Sequence, residues 1–345
     1  MKYKLYTSSK KSWQGMIREI NQAQFSIYIE MYIFLDDTSA SYNFFGALKE
    51  KASNGVEVIL VLDSFGSSEL KSSIIKDLRE NGVEVLFFSH WLRRTHRKIL
   101  LIDNKIIFLG GVNIKKNSIN WSDLQIKIVS PLLAKNILRS FSYTYKMSGG
   151  KKEKILLYRK KSIFKTIRAQ FLEHFPNNNI YTLETYYQEK IISAQKSIII
   201  ITPYFTPARW LLALLDGAQK RGVEIDIFIP KDTDVKILNR INRAFVNKLI
   251  YSNINFYTQN EMNHAKVLLI DEKEVLIGSQ NLDFLSFRLN IESGVFIRDA
   301  KIIEEIKEII QTWKKDSVKF TKNNIEVSFF DKLFLGVIRF FYTIL

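Results

Sequence analysis

The sequence predicts an α/β protein made of two pseudo-symmetric α/β/α sandwich domains, each on a mixed sheet, with a shared site at their interface. Two observations carry this. The first is a repeat: "HRKILLID" at 96–103 returns as "HAKVLLID" at 264–271. "FSIYIEMYIF" from Phe25 returns as "KSIIIITPYF" from Lys196, "GVEVILVLD" from Gly55 as "GVEIDIFIP" from Gly222, and "GVEVLFF" from Gly82 as "NINFYT" from Asn253. Four anchors in one order, offset by about 170 residues, mark a duplicated domain with a period too long for a solenoid. The second is that short β-branched runs alternate with helical patterns inside each copy.

In the first copy Trp13, Met16, Ile17 and Ile20 sit at helix spacing ahead of the strand "FSIYIEMYIF". Residues 40–53 read as a helix before "VEVILVL", and residues 69–80 as a helix before "VEVLFF". "KILLID" and "KIIFLGG" are two strands joined by a turn at Asp103 and Asn104. The domains are expected over 1–148 and 179–320, with a connector over 149–178 that has helical patterns of its own. A length of 345 residues is long for one compact core and agrees with this division.

The chain carries 51 basic against 35 acidic residues, a net charge of +16. Such a field attracts nucleic acid and anionic lipid surfaces alike, so charge alone does not choose between them. The absence of cysteine excludes disulfides and cysteine metal sites. The N-terminal basic residues are followed by no apolar run, so a cleaved signal peptide is not expected, and no stretch is long and uncharged enough to span a membrane. The C-terminal segment 321–345 contains "FFDKLFLGVIRFFYTIL". As a helix it would carry one narrow polar stripe through Ser328, Lys332, Gly336, Arg339 and Thr343. It either docks on the protein's own core or lies in a membrane interface, and so wide an apolar face favours the interface.

Each octapeptide belongs to a longer pattern. The first runs His96, Lys98, Asp103, then Gly110, Gly111 and Asn113; the second runs His264, Lys266, Asp271, then Gly278, Ser279 and Asn281. Residues two apart on a strand share a face, so each copy presents an imidazole, an ammonium and a carboxamide on one patch. Two such patches suit a phosphodiester. Lys and Asn hold the non-bridging oxygens, one imidazole attacks phosphorus, and the other protonates the leaving oxygen. No metal or other cofactor is required, and no carboxylate cluster or Cys/His spacing exists to hold a metal.

The doubled pattern of HxK, four residues, Asp, six residues and G[GS]xN resembles the phospholipase D superfamily signature, and the resemblance covers nearly the whole chain. It implies a covalent phosphohistidine, cleared by water or an alcohol. His96 is the expected nucleophile and His264 the expected acid/base. Asp103 and Asp271 are implied to be structural turn residues, while acids further on orient the imidazoles. Asp123 and Glu292 follow the two histidines at matched spacing and are expected in that role. His90 is expected on a basic rim with Arg93, Arg94 and Arg97, and His174 on the connector surface.

"IEMYIFLDD", "TPYFTP", "GGVNI" with "WSD", and "NLDFLSFRLNIE" resemble bacterial cardiolipin synthases of the phospholipase D type, in their short form without N-terminal transmembrane helices. That resemblance implies transfer of a phosphatidyl group from one phosphatidylglycerol to another, at an anionic phospholipid membrane surface on the cytoplasmic side of the cell membrane. "TPYFTP" is expected to line the site, although its prolines also suit a strand end and a helix start. One departure is Leu285, where relatives often carry Arg, which bears on acceptor preference. A hydrolase releasing phosphatidic acid and a nuclease are the alternatives, and the apolar C-terminal segment speaks against nucleic acid as partner.

Overall fold

The computed structural model describes residues 1–321 except 39, 41, 161–167, 250, 251 and 253. The C-terminal segment expected as an interfacial helix therefore lies outside the described residues, apart from residue 321. The first half runs β1 (Lys2–Ser8), α1 (Ser9–Gln22), β2 (Ser26–Met31), α2 (Phe44–Ser53), β3 (Glu57–Asp63) and α3 (Ser72–Glu80). It continues with β4 (Glu84–Phe88), β5 (Lys98–Ile102), β6 (Ile106–Gly110), β7 (Ser122–Val129) and α4 (Pro131–Met147). A short α5 (Glu153–Leu156) leads to β8 (Ala169–Phe175), β9 (Ile180–Tyr181), α6 (Thr182–Ser193), β10 (Ser197–Ile201) and α7 (Arg209–Lys220). Then come β11 (Glu224–Pro230), α8 (Lys236–Leu249), β12 (Ile254–Gln259), β13 (Val267–Ile270) and β14 (Glu274–Gly278). The described chain closes with α9 (Phe284–Arg288), β15 (Glu292–Ile297), α10 (Ala300–Lys315) and β16 (Ser317–Lys319).

The sheets are mixed, as expected. The first has the order β1-β7-β6-β5-β2-β3-β4, and the second reads β8-β15-β14-β13-β10-β11-β12 with β9 and β16 added at its edges. The parallel pairs are β2–β3–β4 in one half and β10–β11–β12 in the other; the remaining pairs are antiparallel. The repeat thus reaches further back than the sequence reading placed it. Residues 169–175, inside the expected connector, form β8 and pair with β15 as β1 pairs with β7. The helices expected over 40–53 and 69–80 begin later, at Phe44 and Ser72. Asn43 caps the first of them by accepting from the Gly46 N–H at 2.8 Å.

One core spans both halves. Side chains from β5, β6 and β7 (Ile99, Leu109, Ile126) and from β13, β14 and β15 (Leu269, Ile277, Val295) meet α4 and α10, represented by Phe141 and Ile306. The outer face of each sheet buries a separate cluster, under α1 and α2 in the first half and under α6 and α7 in the second. The two hairpins that carry the motifs are built alike. Asp103 and Asn104 take φ of 49° and 52°, and Asp271 and Glu272 take 50° and 53°, the left-handed turn that matches strand twist. The Asp103 carboxylate accepts from the N–H groups of Gln24, Phe25 (2.8 Å) and Ser26, and Asp271 accepts from Gln195, Lys196 (2.7 Å) and Ser197. Each hairpin is thereby stapled to the start of the neighbouring antiparallel strand, β2 or β10, which fixes the register of the HxK strand beside it.

Candidate active site

The histidines come together because the two halves exchange backbone bonds. The His96 N–H donates to the Ile291 carbonyl at 2.9 Å and the Ile291 N–H to the Arg94 carbonyl at 2.8 Å. In the other copy the His264 N–H donates to the Ser122 carbonyl at 2.7 Å, and the Ser122 N–H to the Met262 carbonyl at 3.0 Å. These two small bridges set each histidine beside the strand that carries the other half's acid. The acids are therefore crossed: His96 Nδ1 lies 2.9 and 3.1 Å from the Glu292 carboxylate, and His264 Nδ1 lies 3.0 Å from Asp123 Oδ2. With Nδ1 engaged, Nε2 is the nitrogen of each ring left for chemistry.

Lys98 and Lys266 are fully buried, and each donates to the carbonyl of its own histidine, at 2.5 and 2.6 Å. Asn113 and Asn281 are buried with side-chain oxygens that have no hydrogen-bond partner, while the Asn281 carboxamide also bonds to the Asp283 carboxylate. Gly110 and Gly278 end the return strands, and a Cβ on Gly111 would stand 2.3 Å from Asp123 Oδ1 and 2.9 Å from the His264 carbonyl. Ser279, at the position matching Gly111, instead donates its hydroxyl to Glu292.

The two acids are held differently. Burial by itself would raise the Glu292 carboxyl, but the charge and hydrogen bond of His96, with Lys98 and Ser279, pull it down to about 2. Ser286 adds a further hydroxyl donor at 2.8 Å. Burial lifts Asp123 to about 6, against the opposing pull of Lys266, the Leu124 N–H and Lys98. Burial also lowers both imidazoles. Glu292 partly restores His96, whereas Lys266 and Lys98 push His264 further down. Burial lowers both lysines: Lys98 falls well below its ordinary value, with the Lys266 charge adding to the fall, and Lys266 falls to about 8 against the pull of Asp123 and Glu292. A cluster of reluctant buried cations is what an incoming anion would stabilise.

A cleft of about 470 Å³ opens onto both rings. Tyr32 and Trp121 pack on His96 and His264 with ring centroids 4.7 and 5.4 Å apart, and Tyr204 of "TPYFTP" lines the wall, its hydroxyl 2.5 Å from Asp234. Further out the lining is largely apolar, with Phe65, Leu92, Val235, Leu238, Leu285 and Leu289; the cations there are Arg94 and Lys115. Among the described residues no group of three or more His, Asp and Glu is arranged to hold a metal ion.

Two expectations need correction. Arg97 is not on a rim; it is fully buried, 3.4 Å from Glu30 and with Nε donating to the Glu292 carbonyl at 3.3 Å, because it points to the opposite side of the strand from His96 and Lys98. His174 is not on a connector surface; it is fully buried in β8, its Nε2 3.1 Å from the Phe287 carbonyl. Sequence reasoning also missed Asp63, which accepts from the N–H groups of Phe65, Gly66 and Thr95 and so orders the approach to His96. It missed Ser286 and the Glu30–Arg97 pair as well. The available signal was asymmetry, since Arg97 faces Ala265 across the repeat.

The family model described as "Cardiolipin synthase, PLD-like domain" matches residues 16–145 and 187–313, which contain both histidine motifs and the acids that hold them. The chain belongs to the cardiolipin synthase family of phospholipase D-like proteins. It is an enzyme of that type, a phospholipid phosphatidyltransferase. It is 32% identical to a cardiolipin synthase of Clostridium perfringens, over 93% of this chain and 72% of that one. It is 31% identical to cardiolipin synthase 1 of Staphylococcus epidermidis, over 93% and 69%. Its fold is similar to the crystal structure of the Haemophilus influenzae phosphatidylserine synthase, with a TM-score of 0.78 at 15% identity, covering 98% of this chain and 93% of that one.

Proposed function

We propose that this enzyme transfers a phosphatidyl group from one phosphatidylglycerol to a hydroxyl of another through a phosphohistidine, yielding cardiolipin and glycerol. The observation that carries the reading is the crossed pair of acid-held imidazoles at the floor of an apolar-walled cleft. His96 Nε2 attacks phosphorus while His264 gives its Nε2 proton to the departing glycerol oxygen. The acceptor hydroxyl then passes its proton to His264 and displaces His96 from phosphorus, so protons and bonds balance over the cycle. Glu292, held ionised and fed by two serine hydroxyls, is the better counter-charge for a phosphoimidazolium, which supports His96 as nucleophile. The Asp123–His264 pair, with the carboxyl lifted to about 6 and the imidazole lowered by burial and the two lysines, takes up its proton when the anionic phosphodiester enters and gives it up readily, which suits the donor. Lys98, Lys266, Asn113 and Asn281 bind the non-bridging oxygens.

Lipid is favoured over nucleic acid by the lining. A groove tracking a phosphate backbone needs a row of cations, whereas here Arg94 and Lys115 are matched by Asp234 and Asp283 among apolar walls. The cytoplasmic face of the cell membrane is the proposed place of action. Purified protein with phosphatidylglycerol vesicles, read by mass spectrometry, tests the assignment. Cardiolipin with glycerol is expected; phosphatidic acid alone would make the protein a hydrolase, and cut DNA with untouched lipid would reject a lipid substrate. With a labelled phosphatidyl donor whose leaving group needs no proton, such as a p-nitrophenyl ester, His264→Ala is expected to accumulate label on His96, and His96→Ala to accumulate none; the reverse pattern exchanges the two roles.

A further inference from the structure

We infer that the mouth of the cleft is itself a membrane-docking surface, in which the turn tip Trp91–Leu92, with Phe65, Ile237 and Leu285, enters the interface of an anionic bilayer. These five side chains are 87%, 59%, 62%, 45% and 53% exposed, although each is large and apolar. They come from separate segments of both halves, yet Phe65, Leu92 and Leu285 line the same cleft, and Ile237 lies between its lining residues Val235 and Leu238. Scattered apolar residues need no explanation, but a ring of them around one opening marks an interaction surface.

The backbone is bent to produce this display. Leu92 holds φ at 57°, the left-handed region that disfavours a branched side chain, in a tight turn closed by a 3.2 Å bond from the Arg93 N–H to the His90 carbonyl. A turn that only needed to reverse the chain would be relieved by Gly or Asn at that position. Here strain is accepted while a tryptophan and a leucine point into solvent, and Trp favours the boundary between headgroups and chains.

Charge identifies the partner surface. Arg93 and Arg94 follow the tip directly, with Arg94 stacked 4.5 Å over the Phe65 ring, and Lys236 and Arg240 flank Ile237 on α8. Apolar side chains rimmed by cations suit a bilayer with negatively charged headgroups, to which each cation near the surface adds attraction. Docked this way, the cleft opens toward the headgroup layer, and both lipids reach the histidines without crossing water. The inference rests on the lipid reading above and extends it to the surface through which lipid enters.

The cysteine-free chain permits a direct test. Trp91→Cys carrying an environment-sensitive fluorophore is compared with the same label at Ile192→Cys, an exposed position in the last turn of α6, which leads into the end of β10 far from Tyr204. With phosphatidylglycerol vesicles the label at 91 should shift to the blue and be quenched by lipids brominated along their chains, while the label at 192 should do neither. Trp91→Ala with Ile237→Ala should weaken vesicle co-sedimentation about tenfold or more, with the melting temperature unchanged. A protein that sediments with vesicles while the label at 91 stays wet overturns the inference, because attachment is then elsewhere. A label already shielded without lipid also overturns it, because another part of the chain or a second copy covers the rim. Insertion at 91 without any lipid product would leave the docking surface standing and remove the substrate assignment instead.

Discussion

Glu292→Gln removes one negative charge from the site while leaving its volume unchanged. The carboxylate it replaces is fully buried and receives both oxygen contacts from His96 and hydroxyl donors from Ser279 and Ser286. Burial would raise this carboxyl; His96, Lys98 and Ser279 instead bring it from 4.5 to about 2. At about 1.4 kcal/mol per unit, the preference for the ionised form is on the order of 3 kcal/mol. A carboxamide forfeits that preference and can pair with His96 in either tautomer, so the imidazole loses both its counter-charge and its orientation. The expected result is a fall in kcat of about 10^2 to 10^4, with KM within a few-fold because the lysines and asparagines remain. Initial rates of product release from phosphatidylglycerol in mixed micelles measure it. The depressed carboxyl also contributes stability that is complete above 4.5 and lost as pH falls from there through about 2. The stability gap between the native protein and Glu292→Gln should therefore be largest near neutrality and close in strong acid. A variant within tenfold of native activity would refute the role given to Glu292.

Gly111→Ala should reduce turnover about 100-fold or more while the chain still folds, because the added Cβ lands 2.3 Å from Asp123 Oδ1 and must displace the partner of His264; circular dichroism beside the rate assay checks this. Asp271→Ala should cost about 1–2 kcal/mol of stability through three lost backbone acceptor contacts, with activity per folded molecule largely kept. Burial opposes and the N–H groups of Lys196, Ser197 and Gln195 outweigh it in lowering the Asp271 carboxyl, so that stability is present above its unfolded value of 3.8 and vanishes as pH falls through the lower folded value. Inhibition by vanadate should weaken as pH rises through about 8, where Lys266 gives up its proton, and binding near and just above that pH should take up protons measurable by calorimetry in buffers of different ionisation enthalpy.

Much of the site was legible because its chemistry is duplicated. His, Lys, Asp, Gly and Asn recur at one spacing, and strand periodicity puts His96 and Lys98 on one face without any tertiary information. Asp123 and Glu292 were also readable by their matched distance from the two histidines. What spacing does not contain is partnership. Each acid serves the histidine of the other half, and that follows from the bridges at Thr95–Ile291 and Ser122–Asn263, which exist only once the halves have docked. Strand β8 was hidden because "AQFLEHF" mixes polar and apolar residues and shares no residues with "KYKLYTS" of β1 except one leucine. Its place is set by pairing with β15, not by its own pattern. Arg97 and His174 were misjudged for a common reason: local sequence marks a charged or polar residue as exposed, while buried partners across the fold decide otherwise.

The departures from symmetry are where the two copies acquire different work. At matching positions the first copy has Gly111 with the short acid Asp123, and the second has Ser279 with the longer acid Glu292. The added hydroxyl and the longer side chain together give Glu292 its donors, while the glycine leaves Asp123 room against His264 but no hydroxyl. Beneath His96 the first copy also buries Arg97 against Glu30, and there the second copy has Ala265 and Ile201. A pure two-fold site would hold two histidines with equal proton affinity. The covalent acceptor and the proton carrier of the proposed mechanism need unequal ones. Crossing the pairs makes each half incomplete without its partner, and under the proposed mechanism the mismatches at four positions would let the same motif perform both tasks at one phosphorus.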